Sequence, residues 1–342
     1  METTMQRKVH LDLLRILATI AVVLIHVSTL HYYDFDPRSF GWLSINFYDA
    51  LARWGVPVFV MISGALFLDS SRVFNVRRLF GKNVVRLLTA FVFWSLIYAA
   101  FSAGNWSEFW QRLFSGSFHM WFVLMMAGLY MLIPIFRKIT PCIKTAEYYL
   151  LIAFFAVFLI PELLQIPALS ALQSPMNNLL STLSVGYGAY FIGGWYLSQK
   201  DFNKRQRVLI YILGVAGLLG TILGTSVISY RTGKAMPDPF FNYFSVEVML
   251  EAMALFVFAK HAFGKRAFGA RAVRWIAALS QYSFGAYLAH ILVLNMVQRL
   301  GLRVTSFSAI VSVPLLTAVV YAGSMTISAI LHRIPWLQKY AV

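Results

Sequence analysis

Charge is the scarcest property of this sequence. Asp, Glu, Lys and Arg make up 12% of its 342 residues, against 59% hydrophobic ones. Soluble domains run at roughly half apolar and a quarter charged, so a water-soluble globular fold is excluded. Acidic residues are rarer still, 13 against 29 Lys and Arg. The resulting charge of +16 needs no nucleic acid to explain it, because polytopic membrane proteins collect Lys and Arg on their cytoplasmic loops. One cysteine, Cys142, excludes an intramolecular disulfide and a cysteine metal cluster. No loop is long enough for a separate soluble domain, so 1–342 reads as a single membrane domain. Internal repeats are lacking as well, and with them the inverted symmetry common in secondary transporters. No small-residue cleavage site follows the first apolar run, which marks it as a retained helix rather than a signal peptide.

What the chain has in abundance is apolar runs of about twenty residues, each long enough to cross a bilayer. Ten are predicted, at 11–30, 43–68, 84–103, 119–136, 147–164, 180–198, 207–229, 240–260, 275–298 and 306–331. The expected fold is therefore all-α and polytopic, embedded in the lipid bilayer. Lys and Arg concentrate in alternate loops, such as DSSRVFNVRRLFGKNVVR and KHAFGKRAFGARAVR, which places both termini in the cytoplasm. Pro161, Pro167 and Pro175 interrupt the region between the fifth and sixth runs, and Pro57 and Pro134 mark helix ends or kinks.

The first run, LDLLRILATIAVVLIHVSTL, carries Asp12 and Arg15 near one end and His26 towards the other. Ionisable groups inside a spanning helix are costly and face a cavity or a partner, which makes them functional candidates. Arg15 and His26 are eleven residues apart, or roughly 16 Å on one helix. His119, opening the fourth run, and His290, past the middle of the ninth, fall at a similar depth to His26 by this topology. A neutral imidazole near pH 7 takes a proton from a hydroxyl, as general bases of acyl transfer do. Packed or interfacial histidines are the alternative for each one taken singly, and no metal ligand set stands out.

Glu247 and Glu251 are four apart and share a helix face. They can orient a histidine, bind an acceptor hydroxyl or relay protons, or clasp Arg53 or a tyrosine structurally. Asp49 and Arg53, also four apart, read as a mutual ion pair. At the other end, Arg15 joins Arg72, Arg77, Arg78, Lys82 and Arg86. Such a cluster suits anionic lipid headgroups or a phosphate-bearing ligand; Arg15, inside a helix, favours the ligand. Gly64 offers a spot where a chain or an extended ligand can approach closely.

Four motifs in order resemble the acyltransferase 3 family, the membrane O-acyltransferases of bacterial surface polysaccharides. The first run matches its opening signature at Asp12, Arg15 and His26. VPVFVMISGALF is similar to the second-helix pattern at Phe59, Ser63 and Gly64. HMWFVLMMAGLYMLIPI is similar to the His-x-Trp-Phe segment, here His119, Trp121, Phe122, Tyr130 and Pro134. YSFGAYLAH is similar to the late Tyr-Ser-x-Gly-x-Tyr-x-x-His, here Tyr282, Ser283, Gly285, Tyr287 and His290. The match spans about residues 10–292. One departure is Lys82-Asn-Val-Val-Arg86, where many members have Arg-x-x-Arg ahead of a proline; Arg77 and Arg78 can compensate. The sequence given carries no extracytoplasmic hydrolase-like domain of the kind fused to some relatives.

The resemblance implies a multi-pass protein of the bacterial inner membrane, with acetyl-CoA as co-substrate, no permanently bound cofactor and no metal. Its phosphates would rest on Arg15, Arg77, Arg78, Lys82 and Arg86, and its pantetheine arm would pass Ser63 and Gly64. His26 would then deprotonate a hydroxyl of a glycan or glycolipid acceptor, with Asp12 and His119 as further catalytic candidates. Trp121, Tyr282, His290, Glu247, Glu251 and Arg53 are candidate acceptor contacts. An acyl-histidine intermediate is the alternative route. A homo-oligomer is compatible with this reading. The competing class is a proton-coupled transporter or lipid-linked-sugar carrier, in which the glutamates and histidines form a relay.

Overall fold

The computed structural model describes residues 7–166 and 186–342. Among them the elements are helical, with no strand, and eight stretches are long and apolar enough to cross a membrane. Those eight coincide with eight of the ten predicted runs. Of the other two, 240–260 is the helix Val246–Phe263, whose Glu247, Glu251 and Lys260 lower its apolar character. The run at 180–198 is seen as the helix Gly188–Gln199; its residues 180–185, like Pro167 and Pro175, lie outside the described residues.

Helix α1 (Val9–Thr29) is the axis of the bundle. It packs against α2 (Phe40–Ala52), α3 (Gly55–Phe67) and three later helices. Its hydroxyl side chains keep the backbone as their partner: Thr19, Ser28 and Thr29 donate to the carbonyls of Arg15, Leu24 and Ile25. Such bonding makes hydroxyls tolerable at membrane depth. The predicted run 43–68 is broken between α2 and α3. Pro57 is the cause, since its ring clashes with the carbonyl four residues back, at Arg53, where α2 ends.

A π-helical turn, Leu79–Val84, leads into α4 (Val85–Ser102). Then follow α5 (Trp106–Ser115), α6 (Trp121–Ile139, with Pro134 inside) and α7 (Ile143–Ala153). Pro161 does not interrupt the helical path after α7, which continues through a π-helical stretch, Phe154–Leu159, into a short segment, Ile160–Leu163, with Pro161 near its start. The remaining helices are α8 (Gly188–Gln199), α9 (Lys204–Thr232), α10 (Val246–Phe263), α11 (Ala270–Arg299), α12 (Ala309–Leu331) and α13 (Pro335–Tyr340). The neighbours of α1 among these are α10, α11 and α12.

Two close approaches set the geometry. Helix α11 runs parallel to α1, bound at two levels described below. Helix α8 presses so tightly on α3 that a Cβ at Gly64 would lie 1.7 Å from the Phe191 carbonyl oxygen. The reciprocal glycine, Gly194, meets the Met61 carbonyl in the same way. Gly64 is therefore a helix-packing residue and not the ligand contact expected from the sequence, because α8 fills the space beside it.

The start of α1 is pinned by an ion pair outside the spans, Lys8 Nζ to Asp69 Oδ2 at 2.8 Å. Burial works to raise the Asp69 carboxyl, but hydrogen bonds from Lys8 and from the Ser71 hydroxyl and N–H outweigh it and hold the group at about 2, below its ordinary 3.8. A carboxylate lowered on folding stabilises the fold above its unfolded value and loses that contribution as pH falls through its folded value. Asp69→Asn is thus expected to lower the melting midpoint of detergent-purified protein near neutral pH. The gap from wild type should close between pH 3.8 and about 2. Parallel melting curves across that range check this; a gap independent of pH would detach the effect from the carboxylate.

Candidate active site

The side chains at the two ends of α1 occupy different environments. At the lower level Arg15 Nη1 donates to Ser280 Oγ of α11 at 3.0 Å, and Ser280 Oγ in turn donates to Asp12 Oδ1 at 2.6 Å. Asp12 also pairs with Arg7 and lies 3.6 Å from Arg15. Asp12 is a correction to the catalytic set: it orients Arg15, at the end of α1 remote from His26.

A cavity of about 320 Å³ opens at this level and rises between α1, α3, α4, α6 and α11. Arg15, Arg86, Ser63, Tyr130 and Ser280 give its wall polar groups. The π turn sends Asn83 into it, and Arg15 and Asn83 also border a second space of about 900 Å³ at the surface. That outer space is rimmed by Arg72, Arg78, Lys82 and Arg137. Arg137 was not among the sequence candidates; its guanidinium clamps the loop through the Phe67 and Asp69 carbonyls at 2.8 and 3.1 Å. Arg86 donates to the Val342 carbonyl and faces the Phe284 ring at 5.7 Å. Arg77 is exposed and borders neither space. Ser63 lines the cavity; its neighbour Gly64 does not.

Phe59, Phe122 and Tyr287 line the top of the cavity. Phe122 sits 5.9 Å from Phe59 and 5.3 Å from Tyr287, centroid to centroid. Beyond this collar the three histidines converge. His26 and His290 are 4.8 Å apart, His119 and His290 5.0 Å, and His26 and His119 6.4 Å. Tyr287 touches the group from below, its hydroxyl donating to the His119 carbonyl. The sequence motif contained Tyr287, but Tyr282 was the candidate; Tyr282 instead packs on His332, 4.9 Å away. Five residues turn a helix by about 140° beyond a full turn, so the two tyrosines point to different sides of α11.

Backbone carbonyls assign the imidazole tautomers. His26 Nδ1 is 2.8 Å from the Val22 carbonyl and must donate to it. His290 Nδ1 donates likewise to the Tyr287 carbonyl. The bare His290 Nε2 then accepts from His26 Nδ1–H, 3.2 Å away. This leaves the lone pair of His26 on Nε2. His26 is only partly buried, whereas His119 and His290 are fully so. His119 Nδ1 is 3.1 Å from Ser117 Oγ, and its Nε2 is buried with no hydrogen-bond partner among the described residues.

The other candidates are not drawn into this group. Arg53 binds Asp49 as the spacing predicted. Its remaining reach goes to the Phe241 carbonyl at 3.2 Å and the Phe241 ring at 4.3 Å, so it holds the α2–α3 break. Buried Glu251 takes a hydrogen bond from Thr221 at 3.1 Å, and Glu247 packs against Gly220 of α9. Trp121 is exposed and faces Tyr187 and Tyr243 at 5.7 and 6.1 Å.

A polytopic helical bundle with a charged cavity rising towards three imidazoles suits group transfer inside a membrane. Residues 9–333 match the family model for an acyltransferase domain. The chain belongs to the acyltransferase 3 family, and it is a membrane acyltransferase. No curated protein and no solved structure matches it.

Proposed function

We propose that the protein moves an acetyl group from cytosolic acetyl-CoA to a hydroxyl of a glycan or glycolipid on the far side of a bacterial inner membrane. The observation that carries this reading is the cavity itself. Its cationic end and the imidazoles above its collar are separated by the Arg15–His26 stretch of α1, roughly 16 Å, about the reach of a pantetheine arm. Arg72, Arg78, Lys82 and Arg137 rim a mouth that suits nucleotide phosphates. Arg15 and Arg86 supply further charge within, and Ser63 and Tyr130 offer hydroxyls to the amides of the arm.

The thioester then lies at the collar, beneath His26. His26 Nε2 takes the proton of the acceptor hydroxyl, whose oxygen bonds to the thioester carbonyl carbon. The resulting imidazolium keeps its Nδ1–H on Val22 O and His290 Nε2. To His119 Nε2, buried without a hydrogen-bond partner among the described residues, we assign the steadying of the oxyanion when it carries the proton. The C–S bond breaks, and the departing CoA thiolate recovers the proton from His26. A proton relay through Glu247 and Glu251 has less support, because no hydrogen bond links either glutamate to the histidines among the described residues.

Acetyl-CoA should raise the melting midpoint of detergent-purified protein, as binding to the folded state requires. Arg15→Ala should lose that shift, since one charge-assisted bond to phosphate carries about 1.5–3 kcal/mol, or roughly 10- to 100-fold in affinity. No shift over the millimolar range in folded wild type would count against the donor assignment and return weight to a transporter.

A further inference from the structure

Tyr98 of α4 is buried and lies outside every motif the sequence offered. Its hydroxyl donates to the Leu288 carbonyl at 2.8 Å and accepts from the Leu292 N–H at 3.1 Å. Leu288 and Leu292 are hydrogen-bond partners in a regular α-helix, so a hydroxyl from another helix engages both partners of one rung of the α11 ladder. A wedge of this kind bends or opens a helix locally. The rung brackets His290. The carbonyl just before it, Tyr287 O, is the one that receives His290 Nδ1–H. The Tyr98 ring also stands edge-on to His119, 5.2 Å between centroids.

We infer that Tyr98 is a positioning residue for acyl transfer: its hydroxyl holds open the α11 turn that aims His290 Nε2 at His26. This rests on the function proposed above. The direction of His290 depends on where the Tyr287 carbonyl points, and the wedge at the next rung fixes that. His290 in turn holds the His26 Nδ1 proton and so keeps the His26 lone pair on Nε2. Phenylalanine at 98 keeps the ring against His119 and removes only the wedge. The Leu288 carbonyl and Leu292 amide then pair with each other, so no buried polar group is stranded. The cost falls on alignment, and a misplacement of about 1 Å costs on the order of 100-fold in rate.

The test compares wild type, Tyr98→Phe and Trp94→Phe. Trp94 lies one turn away on α4, its ring 6.1 Å from that of Tyr98 and its Nε1 on the Ala341 carbonyl at 3.0 Å; it is the packing control. Thiol release from acetyl-CoA, with water as acceptor, is followed alongside hydrogen exchange of the Leu292 amide. Tyr98→Phe should lower kcat about 10- to 100-fold with the donor KM and thermal shift unchanged, and should slow Leu292 exchange as the direct rung forms. Trp94→Phe should leave kcat within about twofold. A Tyr98→Phe enzyme with wild-type kcat overturns the inference, and so does an equal loss in Trp94→Phe, which would make the effect one of packing. If wild type releases no thiol, the functional reading fails. The wedge is then judged by exchange alone, and unchanged Leu292 exchange in Tyr98→Phe overturns it.

Discussion

His26→Ala is expected to lower kcat for acyl transfer by about 1,000-fold while leaving the acetyl-CoA thermal shift in place. General-base catalysis contributes typically about 10²–10⁴-fold, and His26 is the imidazole whose free nitrogen the surrounding carbonyls define. Val22 O takes its Nδ1 proton and His290 Nε2 lies 3.2 Å from the same nitrogen, so in the proposed mechanism the base is Nε2. The donor arginines are untouched, since Arg15 lies roughly 16 Å down the same helix and answers to Asp12 and Ser280. Thiol release and the thermal shift, measured on one preparation, separate the two ends of the site. Loss of both would point to collapse of the bundle, and full activity would remove His26 from the mechanism. An acetyl group recovered on His26 after acid quenching would favour the covalent route over direct transfer.

Gly64→Val should give little or no folded protein. Even the first carbon of a side chain at 64 would sit 1.7 Å from the Phe191 carbonyl oxygen and 2.6 Å from its carbon. That obstacle is main chain, with no flexible end to move aside, so α3 and α8 must part. Parting them also disturbs Gly194 against Met61 and uncovers Phe191, which has no exposed surface. Overpacking a core typically costs about 1–3 kcal/mol, and a clash with backbone belongs at or beyond the top of that range. Recovery of monodisperse protein after detergent extraction is the measurement. A well-folded Gly64→Val with weakened donor binding would instead restore Gly64 to the ligand contacts that the sequence suggested.

Legibility followed the kind of information each residue carried. The separation of Arg15 and His26 was readable because helical rise converts spacing into distance. Depth was readable for His119 and His290 because each histidine's place along its apolar run marks its level in the membrane. Direction around a helix was not. Tyr282 and Tyr287 share a motif, yet only Tyr287 faces the histidines, since facing depends on where neighbouring helices pack. Gly64 was misassigned for the same reason, since α8 fills the space beside it; Asp12 lies at the end of α1 remote from His26 and is held by Arg7 and Ser280. Tyr98 left only a weak signal, a hydroxyl in an apolar helix that must find a partner. Hydropathy located the spanning segments well, but Pro57 was needed to see the break at Arg53, and the charges of α10 blur its identity as a span.

The collar of Phe59, Phe122 and Tyr287 has a bearing on energy conservation in the cell. An enzyme that joins two aqueous compartments through its middle is a latent short circuit, and each elementary charge leaking across 100 mV dissipates about 2.3 kcal/mol. Three rings stand between the cationic end of the cavity and the buried imidazoles, and in the proposed mechanism they would act as an electrical seal. A small uncharged acyl unit can slip past aromatic edges, whereas a hydrated proton or cation would have to shed most of its water there. If the proposed transfer passes these rings, they would insulate the membrane as well, and a wider gap at Phe122 would be felt first by the ion gradient.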